Sequence, residues 1–308
     1  MDSDPPLILI VGPTAVGKTE IAIQLAERTE GEIISADSRL FYRGMDIGTA
    51  KPTPAERSRV PHHLIDIADP DETLSLAQFQ ALARAAIADI HRRGRLPFLV
   101  GGTGQYLRAV AQGWSPPAVR PDAQLRGILE KLADERGVLW LHDRLARLDD
   151  VAAQKIDPRN LRRTVRAMEV ILTTGHRFSE QRSKADSPYR LITIGLSQPR
   201  QELYARIDAR IEAMFAAGLL QEVRGLLAEG YLPSLPSMSA IGYAECVQVL
   251  EGRLDVEQAK QSIRRATRVF VRRQANWFKP DDPTIRWFRV HAGVAAEIES
   301  HLRSLIDF

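Results

Sequence analysis

Cysteine is almost missing from this chain: among 308 residues, Cys246 stands alone. One thiol closes no internal disulfide and builds no multi-cysteine zinc site, which suits a reducing compartment, and Cys246 itself reads as a small core residue. Long apolar runs are missing too. None approaches the roughly 20 residues that cross a bilayer, and Met1-Asp2-Ser3-Asp4-Pro5-Pro6 lacks the basic and apolar regions of a signal peptide. A cytoplasmic protein without a membrane partner is expected. Neither sign of charge dominates: 42 Lys and Arg against 39 Asp and Glu leave +3, so any contact with a polyanion must come from local clusters. There is no internal repeat and no low-complexity tract. What remains is a globular chain, 44% hydrophobic, long enough for one large domain with an insertion or for two domains.

The most informative stretch is Gly12-Pro13-Thr14-Ala15-Val16-Gly17-Lys18-Thr19, which follows the apolar run 7–11 and precedes a helical pattern from Glu20. Strand, glycine loop and helix are the context in which a phosphate loop is credible. The glycines let backbone N–H groups turn toward phosphate oxygens, the helix presents its positive end, Lys18 adds a mobile charge, and the Thr19 hydroxyl can hold Mg²⁺. The loop alone leaves three possibilities open: a nucleotide being hydrolysed, a phosphoryl donor, or a diphosphate that leaves.

Residues 31–38 read as a short buried strand whose polar exit brings Asp37 to the ligand side of a parallel sheet. From Arg39 to Pro61, glycine and proline interrupt any apolar period, predicting a loop or mobile flap. His63–Ile67 is a third strand, Ser75–Arg93 a helix stopped by Gly94, and Leu96–Val100 a strand leaving through Gly101-Gly102-Thr103-Gly104. Glycines at that exit let a ligand or backbone come close, and Thr103 can offer its hydroxyl. Ser115-Pro116-Pro117 breaks the pattern. The stretch 121–175 then shows helical periods and no convincing strand. Strand pattern returns at 191–196, followed by a mostly helical stretch 201–279, a last short strand at 285–288 and a terminal helix. The expected fold is α/β, a phosphate-loop parallel sheet flanked by helices and interrupted by an all-helical insertion. Residues 1–115 and 190–308 form the core and 116–189 the insertion.

Two helices are basic on one side. Arg159, Arg162, Arg163 and Arg166 share a face opposite Leu161, Val165, Met168 and Leu172. Between Lys260 and Lys279 lie seven basic and no acidic residues, with Lys260, Arg264, Arg268 and Arg272 in one row and Ile263, Ala266, Phe270 and Trp277 available to pack the other side. Such rows are either solvated faces or seats for a polyanion, and a like-charged row weakens a helix unless something neutralises it. Arg206 and Arg210, one turn apart, either reach the bound phosphates or pair with Asp208 or Glu212.

In combination these segments resemble the bacterial tRNA dimethylallyltransferases. The resemblance covers nearly the whole chain and rests on residues 12–19, Asp37-Ser38-Arg39-Leu40-Phe41-Tyr42, residues 45–52, Val100–Tyr106, Asn160–Glu169 and Ile241-Gly242-Tyr243. It departs where the family usually has Ser at Val16, Gln at Leu40 or Phe41, and a basic residue at Ala244. The late run Thr267–Gln274 is also a variant of the usual pattern. The resemblance implies transfer of a dimethylallyl group from dimethylallyl diphosphate to adenosine N6 beside the anticodon, with Mg²⁺ at Thr19 and the anticodon stem-loop of tRNA as partner. It implies catalytic roles for Asp37, Thr103, Lys18 and Arg210, and diphosphate or nucleotide binding by residues 12–19. Contacts with tRNA are implied for Asp37, Ser38, Arg39, Leu40, Thr103, Arg126, Arg162, Arg163, Thr164, Val165, Arg166, Arg268 and Arg272, in a monomeric enzyme.

That chemistry fits the residues. Leaving diphosphate needs cations and loop N–H groups, and adenine N6, a poor nucleophile, is helped by a carboxylate that takes its proton, for which Asp37 is the candidate. Two other classes use a phosphate loop. A small-molecule kinase would pair it with an Asp that activates a hydroxyl. A nucleic-acid-dependent NTPase would need a strand ending in paired carboxylates, and only Asp66, after Leu64-Ile65, comes near that pattern.

Overall fold

Strand β1 (Pro6–Val11) has no polar residue and is buried along nearly its whole length. Such a strand is stable only with both faces covered, as in a parallel sheet packed between helices. The computed structural model describes residues 4–306 apart from 116, 118, 120, 182 and 185, so the start at Met1–Ser3 and Pro116 of the expected breaker lie outside the described residues. In chain order, β1 is followed by α1 (Lys18–Arg28), β2 (Glu32–Ser35), α2 (Pro54–Arg59), β3 (His62–His63) and α3 (Leu76–Arg92). Next come β4 (Pro97–Val100), α4 (Gly104–Ala111), β5 (Trp114–Ser115), α5 (Ala123–Arg136), α6 (Val138–Leu148), α7 (Asp150–Lys155), α8 (Leu161–Thr174) and β6 (Ser183–Lys184). The chain continues through β7 (Arg190–Ser197), α9 (Arg200–Ala216), α10 (Leu219–Ala228), α11 (Tyr243–Leu250), α12 (Val256–Ala275), β8 (Ile285–Arg289) and α13 (Val294–Arg303).

Six strands form one parallel sheet in the order β3-β2-β4-β1-β7-β8. The alternation of β1 sorts its side chains between two cores. Ile8 and Ile10 meet residues of α1, α9, α12 and α13, including Leu25, Ile207, Ile263 and Ile298. Leu7, Leu9 and Val11 meet Phe79 and Ile87 of α3 and Leu107 and Val110 of α4. Each such side chain contributes about 1.5–3 kcal/mol by leaving water. A third cluster, with Met45, Leu219, Val223, Tyr243 and Cys246, packs α10 and α11 against the segment after β2. Cys246 is buried as expected, and burial, assisted by Glu245 and Glu222, pushes its thiol up to about 12.

Three sequence expectations change here. The third strand stops at His63 because Leu64 and Asp66 adopt left-handed backbone (φ 61° and 56°), which no strand continues through. Residues 39–53 form the expected loop, but 54–59 do not: α2 begins there at a capping box made by Thr53 and Glu56, while the buried Lys51 ammonium ties Asp46 and Asp66 together. The insertion is not purely helical, since Trp114–Ser115 pairs antiparallel with Ser183–Lys184, a ladder too short to leave a periodic signal.

The chain divides into two compact units, Met1–Leu74, Phe79–Ala111 and Ser187–Phe308 on one hand, and Ser75–Gln78 with Gln112–Asp186 on the other. The second unit has a core of its own, built on Leu141, Leu145, Val165, Ala167 and Val170.

Candidate active site

The carboxyl ends of β1, β2 and β4 converge on one rim of the sheet, where an open parallel fold collects its ligands. At the end of β1, Gly12 has φ 147° and lies so close to β7 that a Cβ would sit 2.6 Å from the Leu196 carbonyl oxygen. Ala15 (φ 64°) and Gly17 (φ 105°) complete the turn into α1. Lys18 folds back over this loop, its Nζ donating to the carbonyls of Pro13 (2.8 Å) and Gly12 (3.1 Å). Burial lowers the Lys18 pKa to about 8; Asp37 opposes that shift and Arg210 adds to it. From α9, Arg206 donates Nε to the Ala15 carbonyl at 2.9 Å, stiffening the loop from outside. Burial also pulls Arg210 below its ordinary range, with Asp37 opposing and Arg206 adding.

Two cavities meet over this rim. The larger, about 520 Å³, is lined by Lys18, Lys51, Arg206 and Arg210 against Glu20, Asp37 and Glu56, a modestly cationic pocket with room for a diphosphate and more. The smaller, about 320 Å³, has Asp37, Thr103 and Arg210 beside an apolar wall that includes Ile207, Ile211, Met214 and Phe270. Thr14, Ala15, Asp37, Thr49 and Arg210 line both. A carboxylate and a guanidinium thus stand where a polar ligand group and an apolar one would join. No cluster of three His, Cys, Asp or Glu side chains able to hold a metal occurs among the described residues. Thr19 offers a hydroxyl oxygen to the larger cavity, which fits Mg²⁺, an ion that keeps several waters and takes its other oxygens from a phosphate ligand.

Asp37 accepts the Arg39 backbone N–H at 3.0 Å, so the exit of β2 is held in a turn. Ser38 and Arg39 line the smaller cavity and Leu40 the larger. The Arg39 guanidinium is engaged with the carbonyls of Pro236 (2.9 Å) and Ser237 (3.3 Å). Asp66, the carboxylate nearest to an NTPase pattern, is taken up by Lys51 (2.5 Å) and Arg57 (2.7 Å). Two residues that the sequence did not single out prove central. Gln274 accepts from the Thr14 N–H, and Glu222 holds the backbone of residues 46–48. Gln274 closed a motif-like run, whereas Glu222 sits in an ordinary amphipathic helix and carried no signal.

The basic helices divide by exposure. In α8, Arg162 and Arg163 are exposed, but Thr164 and Val165, expected at an RNA surface, are buried at 0% and 3% exposure. Helical period turns them toward the unit's own core. Arg126 and Arg166 both grip the buried Glu169, Arg126 with two bonds of 2.8 Å and Arg166 with one of 2.5 Å. Burial raises the Glu169 carboxyl, but Arg126, the Asp122 N–H and Arg166 outweigh it and hold the pKa below the usual carboxylate range. Leu172, expected in the apolar stripe, is exposed.

In α12 the row is neutralised in part from within. Lys260 and Arg264 pair with Glu212, and Arg268 pairs with Asp208 at 2.7 Å. The α9 acids that could have paired with Arg206 and Arg210 serve α12 instead. Arg265, Arg272 and Arg273 remain exposed, and Phe270, expected against the core, lines the smaller cavity and is 38% exposed.

The profile of the IPP transferase family matches residues 40–281, and that of isopentenyl transferases matches residues 5–68. The chain belongs to the IPP transferase family. Among members, a Roseiflexus protein named tRNA dimethylallyltransferase is 59% identical over 89% of this chain and 90% of its own length. The Chloroflexus aurantiacus protein of that name is 54% identical over 91% of this chain and 98% of its own. The full-length tRNA isopentenylpyrophosphate transferase of Bacillus halodurans superposes with a TM-score of 0.72 at 44% identity, covering 97% of this chain and 96% of that one. A eukaryotic dimethylallyltransferase acting on tRNA superposes with a TM-score of 0.81 at 26% identity, covering 98% and 78%. Among the described residues, no helix is long and apolar enough to cross a membrane.

Proposed function

We infer that this IPP transferase family member transfers a dimethylallyl group from dimethylallyl diphosphate to the N6 of an adenosine beside the anticodon of tRNA, releasing diphosphate. The observation that carries the chemistry is the pair of cavities, one cationic and one largely apolar, joined at Asp37 and Arg210. Diphosphate oxygens in the cationic cavity face Lys18, Arg206 and Arg210 together with the positive end of α1. The dimethylallyl carbons and the adenine occupy the other cavity, where Thr103 can hydrogen-bond the base.

In the transfer, the bond from the allylic carbon to the diphosphate oxygen breaks and its electron pair leaves with the diphosphate. The N6 lone pair forms the new C–N bond, and the N6 proton passes to Asp37. Cations fixed around the leaving group before the reaction need little reorganisation as its charge grows, which is the main advantage of such a pocket. Thr19 would hold Mg²⁺ against the diphosphate, and the ion supplies further charge neutralisation there. A base stacked in an RNA loop must be drawn out to reach the rim. Arg162 and Arg163 in the insertion and Arg265, Arg272 and Arg273 in α12 are exposed cations suited to the phosphates of the stem-loop.

The lone free thiol, which closes no internal disulfide, supports a cytoplasmic enzyme. Incubating the protein with anticodon stem-loop RNA and either dimethylallyl diphosphate or ATP, then analysing the nucleosides by mass, tests the reading. A dimethylallyl-adenosine product that requires the allylic diphosphate is expected. Phosphorylated product or ATP hydrolysis without prenylation would return the loop to a kinase or NTPase.

A further inference from the structure

Helix α12 turns arginines toward solvent and, in its last turn, one amide toward the sheet. The Gln274 side chain is only 5% exposed. Its Oε1 accepts the Thr14 backbone N–H at 2.8 Å, and its Nε2 donates to the Gly102 carbonyl at 3.1 Å. Thr14 belongs to the phosphate loop and lines both cavities, and Gly102 immediately precedes Thr103. One side-chain amide therefore spans the exits of β1 and β4.

Packing tightens this link. A Cβ on Gly102 would lie 2.2 Å from Gln274 Nε2, and a Cβ on Gly104 would lie 2.4 Å from the Trp277 ring. Arg108 clamps Trp277 in turn, donating Nη2 to its carbonyl at 3.1 Å with the guanidinium 5.2 Å from the ring centroid. Thr103 thus stands between two glycines, one pressed against Gln274 in the last turn of α12 and the other against Trp277 just beyond it. The backbone around Thr103 is moulded by residues some 170 positions later in the chain.

We propose that Gln274 is a positioning residue for the transfer: it fixes the spacing between the loop that holds the diphosphate and the Thr103 hydroxyl that faces the acceptor. The inference rests on the transfer reading given above. A neutral amide satisfies both ends, because one partner is a donor and the other an acceptor. Methionine of similar length leaves two buried backbone groups unpaired. An ionised glutamate keeps the Thr14 contact but sets an anion against the Gly102 carbonyl. A protonated glutamate restores both bonds.

The test compares wild type, Gln274→Met and Gln274→Glu in single turnovers with both substrates saturating, between about pH 5 and pH 8, a range that a buried carboxyl with a raised pKa crosses. Gln274→Met should slow the step on the order of 10²-fold at every pH, as expected for a misplacement near 1 Å, with both substrates bound within a few-fold of normal. Gln274→Glu should be as slow near pH 8 and recover, relative to wild type, tenfold or more toward pH 5. Because that recovery is read within one folded protein, it stands even if the methionine variant is unstable. A deficit in Gln274→Glu that does not change with pH, or a loss confined to diphosphate affinity, would overturn the proposal. Hydrogen exchange at the Thr14 amide gives a readout apart from activity: it should be protected in wild type and accelerate in Gln274→Met. Failure of wild type to prenylate RNA would overturn the transfer reading alone, and unaltered Thr14 exchange would overturn this one.

Discussion

The Tyr243 hydroxyl donates a 2.5 Å hydrogen bond to Glu222, whose carboxylate also accepts the backbone N–H groups of Asp46 (3.0 Å), Ile47 (2.8 Å) and Gly48 (3.3 Å). Gly48 lines the smaller cavity and Thr49 both cavities, so this one carboxylate fixes a wall of the site from behind. Glu222→Gln places an N–H₂ where acceptors are needed and should cost about 1–3 kcal/mol of stability while raising the KM for dimethylallyl diphosphate. Tyr243→Phe should be milder, about 1 kcal/mol. Urea unfolding and steady-state kinetics check both, and an undiminished stability in Glu222→Gln would show that the wall holds without it.

Lys18 sets a pH dependence. With its pKa lowered to about 8 in the ligand-free site, the ammonium is charged below pH 8 and lost above it. Affinity for dimethylallyl diphosphate should therefore fall as pH rises through about 8. Lys18→Arg, charged throughout, should lack the inflection even if its absolute affinity is poorer. Binding isotherms across that range decide the matter.

For Asp37, the isosteric Asp37→Asn keeps the turn but cannot take a proton. Turnover should drop on the order of 10²- to 10⁴-fold with both substrates still bound. Thr19→Ala, by contrast, should lose diphosphate affinity first. Single-turnover rates over a Mg²⁺ series separate the roles: rescue of Asp37→Asn by added metal would make Asp37 a metal ligand.

The insertion should be acid-labile through Glu169. Its carboxyl lies below the ordinary value of 4.5, so the stabilisation is complete above that pH and disappears as pH falls through the depressed value. Glu169→Gln should cost on the order of 3 kcal/mol or less, because Arg126 and Arg166 each keep part of their surface in water. It should also flatten the stability of the protein below pH 4.5. Melting curves of the two proteins from neutral to acid pH should converge.

On α12, exposed Arg272 should contribute a phosphate contact, and Arg272→Ala should lower the salt slope of tRNA binding by about one. Arg268, already bonded to Asp208 and lying 4.9 Å from the Tyr204 ring centroid, should contribute less. Equal slopes in wild type and Arg272→Ala would make this helix face a solvated one.

How much of this was legible in advance depended on whether a residue's role is local. Strands β1, β2, β4 and β7 and the phosphate loop are short-range patterns, and each could be read from a few neighbouring residues. Asp37 and Thr103 were legible as polar residues at strand exits. Charge rows were read correctly as rows and incompletely as charges, since Asp208 and Glu212, which neutralise part of α12, lie on another helix roughly 50 residues earlier. The same limit hid the grip of Arg126 and Arg166 on the buried Glu169 and the anchoring of residues 46–48 by Glu222. Those facts belong to packing between distant segments, which no local period encodes.

That long reach bears on synthesis. Pro6 pairs with Arg190 across the whole insertion, and the Thr14 amide waits for an acceptor 260 residues further on. The second unit has its own core and short internal connections, so it can fold on a ribosome while β1 still lacks one neighbour. The phosphate loop is made long before the residue that accepts its Thr14 amide. Until α12 has emerged, the nascent chain carries its most recognisable motif without the Gln274 amide that bonds to it.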